Sequence, residues 1–191
     1  MTILNIETST SCCSAAITIE GKVVAHRENL SGANHASELP VFIEQLLAEA
    51  KTNGWRLDAV ALSEGPGSYT GLRIGASTAK GICYGLNIPL IPIDTLQILC
   101  AAVQAKLNIQ KEDALLCPMI DARRMEVYTQ VFDNSGTALS DVVAEVVTED
   151  SFKEWRERGK FVMFGNGAAK CTELLPDAIL VSVSPSARGI V

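Results

Sequence analysis

The sequence is poor in the features that mark metal centres, membrane spans and secreted proteins. It has two histidines, His26 and His35, and they lack the spacing of a metal-binding pair on a helix. No apolar run approaches the roughly 20 residues that a membrane span requires, and no basic-then-apolar leader precedes Ile3. We therefore expect a soluble, cytosolic protein without a resident metal.

The six cysteines do not form a disulfide or zinc framework. Cys12 and Cys13 are adjacent, and the other four are scattered through apolar segments without a C-x-x-C spacing. Adjacent cysteines on a strand point to opposite faces and rarely bridge each other. The pattern predicts buried thiols in a reducing compartment.

Acidic residues outnumber basic ones, which gives a formal net charge of −6 at pH 7. This balance disfavours a protein that grips nucleic acid broadly with its own surface. Basic residues do cluster locally, at Arg123-Arg124 and at Arg156, Arg158 and Lys160. We predict that both clusters are solvated faces.

Apolar periodicity predicts an α/β protein of two related lobes, each with a strand, a hairpin, a helix, a strand and a glycine turn. In the first lobe we expect strands at 3–6, 13–19, 23–28, 59–63 and 90–93, and helices at 35–50, 70–84 and 96–105. The first of these helices has an apolar stripe at helical spacing, and Gly54 after it is a stop signal. In the second we expect strands at 115–120, 126–132, 142–147 and 161–164, and a helix at 151–158 capped by Ser151.

The polar stretch 108–113 predicts a boundary between an N-terminal lobe over 1–107 and a C-terminal lobe over 108–191. The sequence Ser184-Pro185-Ser186-Ala187 is typical of a helix start. Because the chain ends soon afterwards, we expect the second lobe to lack a final helical segment.

The most informative segment runs from Glu64 to Gly75 and joins a predicted buried strand to a helix. Gly65-Pro66-Gly67 permits close approach of a ligand or a second backbone, and Ser68 or Thr70 is a natural N-cap. The free N–H groups of the helix start suit an anion or a carboxylate. An ordinary capped turn between strand and helix explains the pattern equally well.

The helix after this loop has small residues, Gly71, Gly75 and Ala79, at every fourth position and therefore on one face. Glycine inside a helix costs about 1 kcal/mol relative to alanine, which indicates that something packs very close to this face. The chain's own sheet and a second subunit are equally compatible with it. We expect Arg73, near the start of this helix, to pair with the carboxylate of Glu64, of Glu38 or of a partner.

The turn after the first strand, Glu7-Thr8-Ser9-Thr10-Ser11, is rich in hydroxyl groups that suit a phosphate. Its candidate nucleotide-binding residues are Glu7, Thr8, Ser9 and Ser11, although a hairpin satisfied by its own hydroxyls gives the same pattern. A kinase or ATPase of this design needs a second turn after Asp121, where the sequence has two long cations and no glycine. These two segments are compatible with weak binding of ATP or ADP, and the second argues against ATP turnover.

Four motifs occur in order along the chain: Ile3-Leu4-Asn5-Ile6-Glu7-Thr8-Ser9-Thr10, His35-Ala36-Ser37-Glu38-Leu39-Pro40, Gly65-Pro66-Gly67-Ser68-Tyr69-Thr70-Gly71-Leu72-Arg73-Ile74-Gly75 and Asp121-Ala122-Arg123-Arg124-Met125-Glu126-Val127-Tyr128. In this combination the sequence resembles the TsaB (YeaZ) family of bacterial proteins over nearly its whole length. The resemblance implies a duplicated, ribonuclease H-like fold of the actin, Hsp70 and sugar-kinase superfamily.

The resemblance also implies a role in forming threonylcarbamoyladenosine at position 37 of tRNAs that read codons beginning with A. A member of this family is the non-catalytic partner of a paralogue, TsaD, and an ATPase, TsaE, joins the assembly. Contact with tRNA is then indirect, any ATP or ADP is weakly bound or shared at the interface, and a homodimer is open for the isolated chain. Older descriptions as M22 glycoproteases give the alternative, a metallopeptidase or an ATP-dependent phosphotransferase.

The catalytic paralogue presents H-x-x-x-H on a helix, whereas the matching helix here has no second histidine after His35. This departure from the pattern argues against catalysis and favours a cap or a polar contact for His35. In the resembling family, this helix and the glycine segment form the face that pairs with TsaD. The residues assigned to that interface are His35, Glu38, Leu39, Gly65, Pro66, Gly67, Gly71, Leu72, Arg73, Gly75 and Ala79.

Overall fold

The computed structural model describes residues 1–32, 34–107 and 114–190, and the chain divides into two compact units. The first comprises Met1–Ile98 and the segment that begins at Pro185, and the second comprises Leu99–Ser184. These units differ from the predicted lobes, because the chain passes to the second unit within a helix and its last segment returns to the first. The predicted boundary stretch, 108–113, lies outside the described residues, and the absence of a final helical segment stays a prediction.

The first unit contains one five-stranded mixed sheet. Its strands are β1 (Thr2–Glu7), β2 (Cys13–Ile19), β3 (Lys22–Asn29), β4 (Ala59–Gly65) and β5 (Leu90–Asp94). Their order is β3-β2-β1-β4-β5, with β1, β2 and β3 antiparallel and with β4 and β5 parallel to β1. The carboxyl ends of β1, β4 and β5 therefore meet at one edge, where ligand sites of α/β proteins commonly lie.

Two helices accompany this sheet, α1 (His35–Asn53) and α2 (Tyr69–Leu86), and α3 (Thr95–Leu107) leads from the first unit into the second. The predicted stop signal of α1 is confirmed, since Gly54 adopts a positive φ of 71° and its N–H bonds back to the last turn. Ser68, one of the two predicted caps of α2, accepts a hydrogen bond from the N–H of Gly71. Local chemistry thus sets the end of α1 and the start of α2.

Helix α1 buries an apolar stripe against the sheet of the first unit. Leu39, Ile43, Leu46 and Ala50 recur at helical spacing and lie in one cluster with residues of β1, β2 and β4. Burying each leucine or isoleucine contributes about 1.5–3 kcal/mol, so this stripe is a major part of the stability of the unit.

The last segment of the chain packs on β2 and β3. Ser186 caps a short 3-10 helix, Ala187–Gly189, which confirms a helical start near the predicted position. The N–H of Ala187 donates to the buried hydroxyl of Ser14 at 2.9 Å, and the hydroxyl of Ser186 donates to the carboxylate of Glu28 at 2.5 Å. These two bonds fasten the segment to a sheet that lies more than 150 residues earlier in the sequence.

The second unit repeats the strand order of the first. Its strands are β6 (Ala114–Asp121), β7 (Glu126–Thr129), β8 (Val143–Val146), β9 (Lys160–Phe164) and β10 (Ile179–Val181). The order β8-β7-β6-β9-β10 has the same pattern of antiparallel and parallel neighbours as β3-β2-β1-β4-β5. The predicted duplication of an α/β unit is confirmed at the level of topology.

One predicted element of the second unit is much shorter than expected. Helix α4 covers only Lys153–Arg156, and its N-cap position is Phe152, which makes no side-chain capping bond. The hydroxyl of Ser151 instead accepts from the N–H of Thr148 and donates to Glu145 at 2.7 Å. The prediction of Ser151 as a cap was wrong, because the same hydroxyl stabilises the turn before the helix.

Replacing Ser14 tests how strongly the last segment is held. In Ser14→Ala the buried N–H of Ala187 loses its acceptor, so the free energy of unfolding should fall by about 1–3 kcal/mol. The amide of Ala187 should also exchange faster with deuterium. Ser11→Ala, at an exposed position of the same region, is the matched control and should change neither quantity. Equal exchange rates in the two variants would contradict the proposed fastening.

Candidate functional site

The glycine loop and helix α2 lie directly on the turn that follows β1. A Cβ atom built on Gly71 would overlap the carbonyl oxygen of Thr8, and one built on Gly75 would overlap the hydroxyl of the same residue. Both contacts would be closer than 3.0 Å, a distance that real Cβ atoms essentially never show. Glycine is therefore needed at both positions, because the helix touches the turn with its backbone.

Two hydrogen bonds join the helix to the turn, and a third caps the start of the helix. The N–H of Ser68 donates to the carbonyl of Ser9 at 2.6 Å, and the Thr8 hydroxyl donates to the carbonyl of Gly71 at 2.9 Å. The third is the capping bond from Gly71 to Ser68 at 3.3 Å. The start of α2 is thus held by the first turn of its own chain.

A buried carboxyl group lies beneath this turn. Glu7, at the end of β1, is 0% exposed, and its Oε1 accepts from the N–H of Ser9 at 2.6 Å. Its Oε2 and the hydroxyls of Ser9 and Ser63 are buried without a hydrogen-bond partner among the described residues. Burial raises the pKa of Glu7, and the hydrogen bond from the N–H of Ser9 offsets this only in part.

The predicted nucleotide-binding residues differ in their exposure, and nucleotide binding itself stays a prediction. Of the four candidates, Glu7, Thr8 and Ser9 are buried, and only Ser11 is exposed. The carbonyls of Thr8 and Ser9 face the backbone of α2, so the turn is filled by the chain itself. The alternative, a hairpin satisfied by its own hydroxyls, does not describe Thr8, because its hydroxyl donates to the carbonyl of Gly71 in α2.

Part of the predicted partner surface is buried within the first unit. Leu39, Gly71, Gly75 and Ala79 are buried within the first unit, and their faces of α1 and α2 are covered by the sheet and the first turn. The close neighbour of the small-residue face is therefore the chain itself. Among the other assigned residues, Gly65, Pro66, Gly67 and Leu72 are half-buried and Arg73 is exposed.

The polar residues of the predicted surface find partners nearby. A ring nitrogen of His35 lies 3.2 Å from the carbonyl of Cys12, which agrees with a polar contact at the helix start. The carboxylate of Glu38 accepts from the amide of Asn29 at 3.0 Å. The guanidinium of Arg73 lies over the ring of Tyr69, 5.3 Å from its centroid, and pairs with neither predicted carboxylate.

An exposed surface on the opposite side of α2 was not predicted from the sequence. Cβ atoms built on Gly81 and Gly85 would meet no atom within 4 Å, and Tyr84 between them is 92% exposed. A groove of about 400 Å³ continues this surface between α1 and the first half of α2. Its lining residues are Ala36, Pro40, Tyr69, Thr70, Arg73, Ile74, Ser77 and Thr78. We call Gly81, Tyr84, Gly85 and this groove the outer face of α2.

Metal sites and membrane spans are both absent from the part of the chain that the structure describes. No three of its histidine, cysteine, aspartate and glutamate side chains are grouped so that they could hold a metal ion. Within the same residues, no helix has both the length and the apolar character to cross a membrane.

Comparison with known proteins identifies the class of protein to which this chain belongs. A model of the family described as TsaD, tRNA N6-adenosine threonylcarbamoyltransferase, matches residues 23–163. Two solved structures of YeaZ or a YeaZ-like protein from Pseudomonas aeruginosa superpose with TM-scores of 0.83 and 0.82, at 26% and 25% identity. Each superposition covers 99% of this chain and 88% of the other. The fold is the predicted duplicated α/β fold, and these two structures share it.

Curated relatives narrow the class to one family. The chain is 35% identical over 159 residues to the Haemophilus influenzae tRNA threonylcarbamoyladenosine biosynthesis protein TsaB, with 82% of this chain and 61% of that protein covered. It is 30% identical to the Bacillus subtilis and Escherichia coli TsaB proteins, with 94% and 87% of this chain and 77% and 72% of theirs covered. The chain belongs to the TsaB family. It spans about three fifths of the length of the Haemophilus protein.

Alanine substitutions of the helix glycines distinguish the two faces of α2. Gly71→Ala forces a methyl group onto the Thr8 carbonyl, and this overpacking should lower the free energy of unfolding by about 1–3 kcal/mol. Gly81→Ala, in open space on the same helix, should raise it by up to about 1 kcal/mol. Urea denaturation measures both, and equal effects would contradict the assignment of the buried face.

Glu7→Gln tests the buried carboxyl through the dependence of stability on pH. Because the pKa of Glu7 is raised on folding, the folded chain keeps a proton that the unfolded chain releases above the ordinary value of about 4.3. The free energy of unfolding is therefore lowered as the pH rises through this value towards the folded pKa. Glutamine has no such proton, so the stability of the variant relative to the native chain should increase as the pH rises above about 4.3.

Glu44→Gln, at an exposed position of α1, is the control for this experiment. It should follow the native chain across the same range. Parallel stability curves for Glu7→Gln and Glu44→Gln would show that the buried carboxyl does not titrate as described.

Proposed function

We propose that this chain is a non-catalytic partner subunit in the biosynthesis of threonylcarbamoyladenosine at position 37 of tRNA, in the cytosol. Its partner is a TsaD-like transferase, which supplies the catalytic residues. The observation that carries the proposal is the outer face of α2, taken together with membership of the TsaB family. Because the small-residue face is covered by the chain itself, we place the docking surface on this outer face.

The composition of the outer face favours contact with another protein. Gly81 and Gly85 lie in a helix at a cost of about 1 kcal/mol each relative to alanine, and no contact within the described chain requires them. A partner helix that approaches closely would use the space they leave. Tyr69 and Tyr84 are 75% and 92% exposed, and tyrosine is enriched at the energetic centres of protein interfaces.

The charges of this face indicate the chemistry of the partner. Arg73 lines the groove, and no described carboxylate forms an ion pair with it. Lys80 is exposed one turn before Tyr84. A carboxylate of the partner near Arg73 would complete the pairing that the sequence led us to expect, and its burial in an interface would strengthen the bond.

The remaining parts of the assembly follow from this role. A TsaE-like ATPase joins the pair, and any ATP or ADP that the chain contacts is shared with a partner at the interface. In the absence of a TsaD-like protein, a second copy of the chain can occupy the outer face. One of the two Pseudomonas aeruginosa structures is described as a protein with similarity to the peptidase YeaZ. We propose no peptidase activity for this chain.

Gly81→Arg tests the docking surface without disturbing the fold. The position is open and arginine favours a helix more than glycine does, so the thermal midpoint should not fall. A bulky side chain there should weaken binding to a TsaD-like protein by at least about tenfold, measured by calorimetry. Ala48→Arg, an exposed position of α1 outside the groove, is the control. Unchanged affinity of Gly81→Arg would contradict the proposed surface.

Reconstitution tests the role itself. Threonylcarbamoyl transfer to tRNA is measured with TsaD-like and TsaE-like proteins, with and without this chain, under titration of zinc and ATP. We expect transfer to require the native chain and to fall with Gly81→Arg. Transfer that proceeds equally without the chain would contradict the partner role, and ATP turnover by the purified chain alone would restore the enzymatic alternative.

A further inference from the structure

Two adjacent arginines form the tip of the β6–β7 hairpin in the second unit. Arg123 and Arg124 both have positive φ angles, 73° and 47°. The hairpin is closed by bonds from the N–H of Ala122 to the carbonyl of Glu126 and from the N–H of Glu126 to the carbonyl of Arg123, each 3.0 Å. The tip is therefore an ordered turn whose conformation favours glycine or asparagine.

This conformation makes arginine a costly choice at both positions. Residues with a Cβ atom pay an energetic cost in the left-handed region, and asparagine or glycine pays less. Two strained residues in succession indicate a role that the backbone alone does not require. What arginine adds at this tip, compared with glycine or asparagine, is a positively charged guanidinium group at each position.

Both guanidinium groups are exposed and lack a partner among the described residues. Two acidic residues flank the arginines. Asp121 is bound by the ammonium group of Lys170 and by the N–H of Arg123, and Glu126 forms an ion pair with neither arginine. Lys170 also donates to the carbonyl of Glu126 at 2.7 Å. The Asp121 carboxylate is thus paired with a third cation, and neither arginine takes part in an ion pair among the described residues.

The second basic cluster of the sequence shows the contrast. Arg156 forms an ion pair with Asp177 and donates to the carbonyls of Glu149 and Ser151. The guanidinium of Arg158 lies over the ring of Trp155, 4.5 Å from its centroid. The guanidinium groups of these two arginines contact other residues of the unit, whereas those at the hairpin tip have no such contact among the described residues.

The surface beside the tip is concave. A cavity of about 500 Å³ is lined by Ala122, Arg123, Arg124, Met125, Glu126 and Val146. Met125 and Val146 give it apolar surface, and Glu126 is the carboxylate in its lining. Paired guanidinium groups beside an apolar hollow suit a phosphate attached to a sugar or base, since arginine binds phosphate through two parallel hydrogen bonds.

We propose that the β6–β7 tip is a contact for the phosphate backbone of RNA, with Arg123 and Arg124 as the phosphate-binding residues. The proposal rests on the proposed function, which makes the RNA the tRNA substrate. It replaces the expectation that tRNA is contacted only through a partner. With a net charge of −6, the chain provides one localised contact rather than a broad basic surface.

The test uses the double variant Arg123→Asn and Arg124→Asn, because asparagine tolerates the left-handed conformation. Filter binding measures the affinity for an unmodified tRNA transcript, with the chain alone and in complex with the TsaD-like protein. We expect affinity to fall at least several-fold and the slope of its salt dependence to decrease by about one for each phosphate that is no longer bound. The thermal midpoint should stay constant or rise, since backbone strain is reduced.

Lys153→Asn is the control, since it removes an exposed cation from the same unit outside the tip. It should leave affinity for the transcript unchanged. Unchanged RNA affinity of the double variant would overturn the proposal, as would a fall in ATP binding without a fall in RNA binding. Loss of binding to the TsaD-like protein with intact RNA binding would also overturn it and assign the tip to a protein partner.

These outcomes are separable from a failure of the proposed function. If the native chain does not bind the TsaD-like protein, the partner role fails, and RNA binding by the chain alone still decides the role of the tip. If the native complex forms and the double variant binds RNA as the native chain does, only the RNA contact fails.

Discussion

The contact between helix α2 and the turn after β1 is the constraint on which the candidate site depends. Gly71 and Gly75 let the helix backbone touch Thr8, and no larger residue fits at either position without moving one of the two. Because interiors are close-packed, a displacement of even one methyl group is transmitted to neighbouring elements. This contact therefore fixes which side of α2 is buried and which side forms the outer face.

Much of the fold followed from local sequence signals. The apolar stripe of α1, its stop at Gly54 and the cap at Ser68 are encoded within a few residues, and all were predicted. The faces of α2 were harder to assign, because glycines lie on two of its sides. A glycine indicates either a close approach or a tolerated gap, and only the position of Thr8 distinguishes Gly75 from Gly81. Ser151 shows the same limit, since its hydroxyl has several acceptors and donors within reach.

The duplication shows how one topology carries different chemistry. In the first unit the connection between the first two strands is a largely buried turn of hydroxyl residues beside the buried carboxyl group of Glu7. One oxygen of that carboxyl group has no hydrogen-bond partner among the described residues. In the second, the equivalent connection is an exposed hairpin tip with Arg123 and Arg124. The strand order requires only that the two strands be joined. The residues of each connection are therefore free to serve either packing or contact with another molecule.

The turn after β1 also shows how the polar groups of the predicted nucleotide site are used in the folded chain. A phosphate-binding turn must keep its N–H groups and hydroxyls open to the ligand. Here the Thr8 hydroxyl and the Ser9 carbonyl are bonded to the start of α2, and Glu7 lies beneath them away from solvent. Opening this turn for a ligand would require α2 to move and its glycine contacts to break. The residues that hold the start of α2 in place are thus the same ones whose hydroxyls suggested a phosphate site in the sequence.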